Sequence, residues 1–132
     1  MKNPKLQFKL FLLLIIIGSS IPGKSVPEIV VLSWDKLLHF IEYSILGALG
    51  YRAYHKHPNF NIYLLFSFGI FFGCIDELWQ KIIPGRFSSH SDVIADGIGV
   101  IFGTYSSIYI ANTILVKLNV SQKTILKEEE KN

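Results

Sequence analysis

The stretch that decides the fold of this chain runs from Gly73 to Asp96 and reads GCIDELWQKIIPGRFSSHSDVIAD. An apolar run contains three polar residues near its end, and the chain then turns at a Pro-Gly-Arg sequence. A second apolar run then begins with two aspartates. The polar residues of this stretch that are candidates for a site are Asp76, Glu77, Gln80, Arg86, Asp92 and Asp96. A charged residue at the centre of a bilayer costs roughly 2.5–3.5 kcal/mol on insertion scales. Several of them close together therefore indicate a candidate functional site.

The composition is that of an integral membrane protein. Half of the 132 residues are hydrophobic and 17% are charged, and the mean hydropathy is positive. Four spans of about 20 residues would use most of the chain, so we expect an all-α bundle of four transmembrane helices. The small net charge of +3 and the lack of a basic patch with interleaved aromatic residues argue against nucleic-acid binding. Cys74 is the only cysteine, which excludes an intramolecular disulfide and a multi-cysteine metal site.

The first 33 residues allow two interpretations. Lys2, Lys5 and Lys9 precede the apolar run LFLLLIII at 10–17, and small residues follow it. This order is typical of a secretory signal peptide, but it also fits a first transmembrane helix at about Leu6–Ile21. We favour the uncleaved helix, followed by an outer connector up to residue 33.

Residues 34–116 are expected to form a core of three helices. The predicted segments are Trp34–Tyr54, Phe60–Ile83 and Asp92–Val116. The third and fourth segments of the chain contain glycine pairs four residues apart, at 69 and 73 and at 99 and 103, a spacing suited to close helix contact. The polar tail at 117–132 is expected to be cytoplasmic, as a short frayed helix or a disordered segment.

The charges predict that both termini lie in the cytoplasm. With the N-terminus inside, nine basic residues fall on the inner side and four on the outer side, which obeys the positive-inside rule. In this topology, every acid outside the tail lies on the outer half of the membrane. These acids are Glu28, Asp35, Glu42, Asp76, Glu77, Asp92 and Asp96. Three helices thus bring acids to a similar depth, which predicts a polar pocket open to the outer face.

The second segment adds Asp35, Lys36, His39 and Glu42, spaced three or four apart and so on one helix face. Adjacent Asp76 and Glu77 must point about 100° apart, so only Asp76 can share a face with Gln80. The candidate catalytic groups or metal ligands are His39, Glu42, Asp76 and Glu77. The candidate binding residues are Asp35, Lys36, Gln80, Arg86, Asp92 and Asp96.

Each of these residues also has a purely structural interpretation. Asp35 or Asp92 would cap a helix, Lys36 would extend its charge to the interface, and Arg86 would neutralise Asp92. The acids would then form an ion-pair network that holds the helices together. The pattern specifies no cofactor, and it leaves the presence of a metal open. No known metalloprotease or nucleophile motif is present.

The chain resembles the VanZ-like family through four motifs that occur in the same order. They are DKLLHF at 35–40, DELWQ at 76–80, PGR at 84–86 and SDVIAD at 91–96 followed by Gly99. The resemblance covers about Trp34–Gly103, and the first helix matches by position only. Asp96 stands where many members have Asn.

The resemblance implies a small multi-pass bacterial plasma-membrane protein, and the family's namesake is associated with resistance to the glycopeptide teicoplanin. Two hypotheses follow. In the first, an enzyme or modifier acts at the outer leaflet on a lipid-linked or cell-wall precursor, with Arg86 holding an anionic group and with Asp92 and Asp96 orienting the other groups. In the second, a non-catalytic scaffold or binding protein uses the same polar network.

Overall fold

The computed structural model describes residues 3–23, 34–86 and 88–129, and most of these residues are helical. Helix α1 spans Pro4–Ser19, α2 spans Asp35–Tyr54, α3 spans Ile62–Gln80 and α4 spans His90–Glu129. No strand occurs in the described residues. The expected all-α class is therefore confirmed, and each predicted segment corresponds to one helix. The predicted outer connector, with Glu28, lies outside the described residues from position 24 onward.

Local sequence signals explain where the helices begin and turn. Asn3 and Asn61 cap α1 and α3, since the Asn3 side chain accepts from the Leu6 N–H at 3.2 Å and Asn61 accepts from the Tyr63 N–H at 2.8 Å. After α3 the chain turns at Pro84-Gly85. Gly85 has a φ of 78°, and the Arg86 N–H donates to the Ile83 carbonyl at 3.2 Å, as in a type II turn.

The closest packing in the bundle is between α2 and α4, and glycine makes it possible. A Cβ atom built on Gly99 would lie 2.5 Å from the Phe40 carbonyl oxygen, and one on Gly103 would overlap the Ser44 carbonyl. Any larger residue would push the two backbones apart, so the glycine spacing predicted from the sequence serves helix contact. This contact sets the position of the buried side chains one turn away.

The outside of the bundle is apolar, as in a membrane protein. Large hydrophobic side chains are exposed along all four helices, including Leu14, Phe71, Ile98 and Tyr109. Two described helical segments are long and apolar enough to cross a bilayer, the 19-residue α3 and the 29-residue part of α4 at His90–Leu118.

Neither α1 nor α2 is both long and apolar enough to cross a bilayer by the same measure. Helix α1 has 16 residues and would reach only about 24 Å at 1.5 Å per residue. Helix α2 is longer, with 20 residues, but it carries four charged side chains. A bundle of four spans therefore stays a prediction. The fourth helix is longer than expected, because it continues through the tail to Glu129.

Candidate functional site

One end of the bundle collects the polar side chains. The end of α1, the start of α2, the end of α3 and the start of α4 meet there. The buried polar residues at this end are Ser19, His39, Asp76, Glu77, Gln80, Asp92 and Asp96, each at most 4% exposed. We call this set, with Asp35, Lys36, Glu42 and Arg86 at its edge, the polar cluster. All ten candidates from the sequence belong to it.

His39 lies at the centre of the polar cluster. Its Nδ1–H donates to Asp96 Oδ1 at 2.9 Å, which joins α2 to α4. Its other nitrogen, Nε2, lies 3.7 Å from Glu77 Oε1 on α3, too far for a hydrogen bond. The imidazole is thus fixed through one nitrogen, and the second nitrogen faces a carboxylate across a gap.

Glu77 also connects α3 to the beginning of α4. Its Oε2 accepts from the Ser89 backbone N–H at 2.8 Å. Ser89 in turn accepts through Oγ from the Ser91 N–H at 3.3 Å, which is the role of an N-cap. The structural interpretation of Asp92 as the cap is therefore wrong, since α4 begins two residues earlier, at His90.

Asp92 instead faces the start of α2. Lys36 Nζ lies 3.3 Å from Asp92 Oδ1, with the lysine side chain 62% exposed and the aspartate 1% exposed. Arg86 does not form the ion pair with Asp92 that the sequence allowed. One carboxylate oxygen each from Asp35 and Asp92 and one His39 nitrogen lie within 4.8 Å of one another. This group has the composition of a metal site with one nitrogen and several oxygens.

A second group of the polar cluster joins α3 to α1. Gln80 Nε2 lies 3.3 Å from Asp76 Oδ2 and 3.4 Å from Ser19 Oγ. Arg86 donates to the Gln80 Oε1 at 3.0 Å. Asp76 and Gln80 thus share a face as predicted, whereas Glu77 points to His39 and α4.

A cavity of about 360 Å³ opens between these helices. Its polar wall contains Asp35, His39, Glu42, Gln80 and Arg86. Its apolar wall contains Phe11, Leu38, Ile41 and Ile45. Because the last three are more than 40% exposed, the cavity opens sideways between apolar side chains as well as toward the polar end.

Acceptors outnumber donors in the polar cluster. Among the described residues, Asp76 Oδ1, Glu77 Oε1, Asp96 Oδ2 and both carboxylate oxygens of Asp92 are buried without a hydrogen-bond donor. Six acids share this end with Lys36, Arg86 and His39, so negative charge exceeds positive charge even when the imidazole is charged. Buried charges without partners are costly, and the cluster therefore has the electrostatics of a cation-binding or proton-binding site.

A sequence profile described as VanZ/LLP1 matches residues 4–114, which is most of the chain. The chain belongs to the VanZ/LLP1 family. This confirms the resemblance carried by the motifs, and the match extends beyond them to include α1. Comparisons with curated proteins and with solved structures give no match.

In this member of the VanZ/LLP1 family, sequence reasoning missed four residues of the site. Ser19 and Ser20 contribute from α1, where Ser20 Oγ accepts from Trp79 Nε1–H at 2.9 Å. Ser89 caps α4. Tyr43 is fully buried, and its hydroxyl has no hydrogen-bond partner among the described residues. The only signal for Ser19 and Ser20 was that they form the small polar pair that ends the first apolar run.

Proposed function

We propose that this VanZ/LLP1-family protein binds the anionic headgroup of a lipid-linked cell-envelope component at the outer leaflet of a bacterial plasma membrane. The observation that carries this proposal is the cavity beside the polar cluster, which has a charged wall and an apolar wall open to the side. The apolar wall would take a hydrocarbon chain, and Arg86 on the charged wall would hold an anionic head away from Asp35 and Glu42, whose carboxylates repel it.

The charged wall offers a binding group for phosphate. Arg86 is held by the turn at Pro84-Gly85 and uses one guanidinium nitrogen to donate to Gln80. Its fork carries five N–H donors, and such a fork binds phosphate or carboxylate bidentately. The hydrocarbon of the ligand would lie along Leu38, Ile41 and Ile45.

Charge distribution supports an outer position for the cavity. In a four-span arrangement with both termini cytoplasmic, Lys5, Lys9, Arg52, Lys56 and Lys117 lie at the opposite end of the bundle from the polar cluster. That placement agrees with the positive-inside rule. A cavity in this position would be open to cell-wall precursors at the outer leaflet. Teicoplanin acts on such precursors, so this position is consistent with the link to teicoplanin resistance that the family resemblance implies.

An enzymatic version of the proposal uses the same cavity. Glu42 and His39 line it, and Asp76 and Glu77 lie buried beside it. A carboxyl group near an imidazole can exchange protons with a bound substrate. In this version, changing Glu42 to Gln would leave ligand binding intact and stop turnover.

A scaffold without a ligand is the second candidate, and the hydrogen bonds between helices favour it. Glu77 to Ser89, Gln80 to Ser19 and Lys36 to Asp92 each connect two different helices or their ends. A network of this kind stabilises a bundle by itself. It would tolerate isosteric changes in the cavity wall that do not break a helix-to-helix contact.

The first experiment measures binding of a polyprenyl diphosphate to the purified full chain in nanodiscs. Replacing Arg86 by Gln should weaken binding about 30-fold or more, since loss of a buried charge pair costs about 2 kcal/mol or more. Arg86→Lys should recover part of it. The matched control is Lys81→Gln, an exposed cation at the same end, which should bind as wild type does. Equal binding by all four proteins, or equal binding of the uncharged polyprenol, would contradict the proposal.

The second experiment tests the cellular role. Teicoplanin susceptibility is compared in a bacterial host expressing wild type or Arg86→Gln at equal membrane abundance. We expect wild type to protect and the variant to lose protection. Protection by neither protein would remove the resistance role while leaving the binding proposal to the nanodisc measurement.

A further inference from the structure

We propose that His39, Asp35 and Asp92 bind one divalent transition-series cation, Zn²⁺ or Mn²⁺, within the polar cluster. Glu77, on the facing helix, is the fourth protein ligand. The site rests on the placement of these four side chains and does not depend on the lipid-linked ligand proposed above.

The ligand atoms are already near one another. A nitrogen of His39 and carboxylate oxygens of Asp35 and Asp92 lie within 4.8 Å of one another. His39 Nε2 is 3.7 Å from Glu77 Oε1. Two ligands of a tetrahedral Zn²⁺ ion are about 3.4 Å apart when each metal–ligand bond is about 2.1 Å. The Glu77 pair is thus close to that spacing, and the Asp35 and Asp92 oxygens, within 4.8 Å of the His39 nitrogen, would move closer when the ion binds.

Asp96 prepares His39 for this role. The Nδ1–H donates to the Asp96 carboxylate at 2.9 Å, so Nε2 is the nitrogen that would bind the cation once it has given up any proton it carries. Metal-bound histidines typically donate their other ring N–H to a carboxylate, which fixes the ring and raises its basicity. Asp96 is fully buried on α4, where it acts as a positioning residue.

The buried oxygens provide an independent reason for a cation. Asp92 is 1% exposed and Glu77 is 4% exposed, and among the described residues neither Asp92 carboxylate oxygen nor Glu77 Oε1 receives a hydrogen bond. A divalent cation would bind both groups and offset two of the excess negative charges. Packing alone gives no reason to leave these acceptors without donors.

Lys36 is the competitor of the metal. Its ammonium lies 3.3 Å from Asp92 Oδ1, where it supplies one positive charge. Since the lysine side chain is largely exposed, it can move into solvent when a cation enters. Metal binding should therefore become tighter when the lysine charge is removed.

The ligand set selects the type of ion. An imidazole ligand favours transition-series ions over Mg²⁺ and Ca²⁺, whereas carboxylates accept both Mn²⁺ and Zn²⁺. No second histidine belongs to the polar cluster in the described residues. A site with one nitrogen and mainly oxygen ligands is the expected signature.

The test uses the purified full chain in detergent, without an affinity tag and stripped of metal by a chelator. Zn²⁺ or Mn²⁺ is added alone, the bound metal is counted by elemental analysis, and the affinity is measured by competition with a chromophoric chelator. We expect one ion per chain. His39→Gln and Asp92→Asn should each weaken binding by about tenfold or more, and Asp96→Asn should weaken it about 10–100-fold.

Two control variants distinguish this site from metal binding at the surface and from lipid binding. His90→Gln changes an exposed histidine in the first turn of α4 and should leave the affinity unchanged. Arg86→Gln changes none of the four proposed ligands and should still bind one ion per chain, which separates failure of the metal site from failure of lipid binding. X-ray absorption of the wild-type Zn²⁺ complex needs no variant to fold and should show a single imidazole among oxygen ligands.

Less than half an ion per chain, or two or more imidazoles around zinc, would overturn the proposal. An equal loss of affinity in His90→Gln and His39→Gln would also overturn it, since the binding would then be at the surface. Binding that requires added polyprenyl diphosphate would overturn it as well, because the four side chains would then be insufficient by themselves.

Discussion

Replacing Gly99 by Ala tests whether the packing of α2 on α4 holds the polar cluster together. The added Cβ would lie 2.5 Å from the Phe40 carbonyl oxygen and 3.1 Å from the Ser44 nitrogen. Both atoms belong to the α2 backbone, so no flexible side chain can move aside. A normal carbon–oxygen contact of about 3.3 Å would require the helices to separate by about 0.8 Å.

That separation acts directly on the site. Phe40 follows His39 in α2, and Gly99 lies one turn after Asp96 in α4. Moving the helices apart by about 0.8 Å would stretch the 2.9 Å hydrogen bond from His39 to Asp96 to about 3.7 Å, beyond bonding distance. Overpacking costs about 1–3 kcal/mol and loss of a charged hydrogen bond about 1.5–3 kcal/mol. The better helix propensity of alanine offsets only about 1 kcal/mol of this loss in the free energy of unfolding.

The net expectation is a loss of about 1.5–5 kcal/mol of stability. The assay is thermal unfolding of the purified protein in detergent, followed by fluorescence-detected gel filtration. A loss of about 2 kcal/mol should lower the midpoint by about 6 °C or more for a chain of this size. Gly18→Ala is the matched control, because a Cβ there meets no atom within 4 Å, and its midpoint should be unchanged or slightly higher. A Gly99→Ala midpoint within about 2 °C of the wild type would refute this account of the packing.

Three further predictions concern an ion pair, a helix cap and the topology. Lys36→Met should lower the unfolding midpoint in metal-free buffer by a few degrees, since Asp92 loses its partner, yet raise Zn²⁺ affinity about tenfold because a competing charge is gone. Equal or weaker Zn²⁺ binding would contradict the competition. Ser89→Ala should lower the midpoint by about 3 °C, the effect of losing about 1 kcal/mol at an N-cap, as measured in the same unfolding assay. In a Cys74→Ser background, an impermeant maleimide applied to intact cells should label Lys81→Cys and leave His57→Cys unlabelled; the reverse pattern would invert the proposed topology.

Local sequence patterns were sufficient to predict the four helices and the polar end. A carboxylate inside an apolar run is conspicuous, and helical geometry alone shows that Asp76 shares a face with Gln80 and that Glu77 does not. The hydrogen bond between Asp76 and Gln80 confirms this. The glycine spacing of α4 likewise predicted close contact, and the structure places the Gly99 backbone against α2.

The partners of these side chains could not be predicted, because they depend on how the helices are rotated and shifted against one another. Lys36 and Arg86 were both candidates to pair with an acid of this end, and only the docking of α2 on α4 selects Lys36 for Asp92. Ser19 gave only a weak signal, because a serine near the end of an apolar helix is common in sequences. It acquires a role only when α1 places it beside Gln80.

The balance of donors and acceptors decides between a structural network and a binding site. A network that serves only to join helices gains stability from each acceptor that finds a donor, and such networks in native proteins leave few buried groups without one. Here both Asp92 carboxylate oxygens and Glu77 Oε1 receive no hydrogen bond among the described residues, and His39 Nε2 lies 3.7 Å from that Glu77 oxygen. Since the helix contacts at Gly99 would hold without these oxygens, their burial makes physical sense when the cluster binds a positively charged partner. The metal measurement therefore comes before any search for a substrate, because it establishes which charged side chains of the polar cluster remain available to bind a ligand.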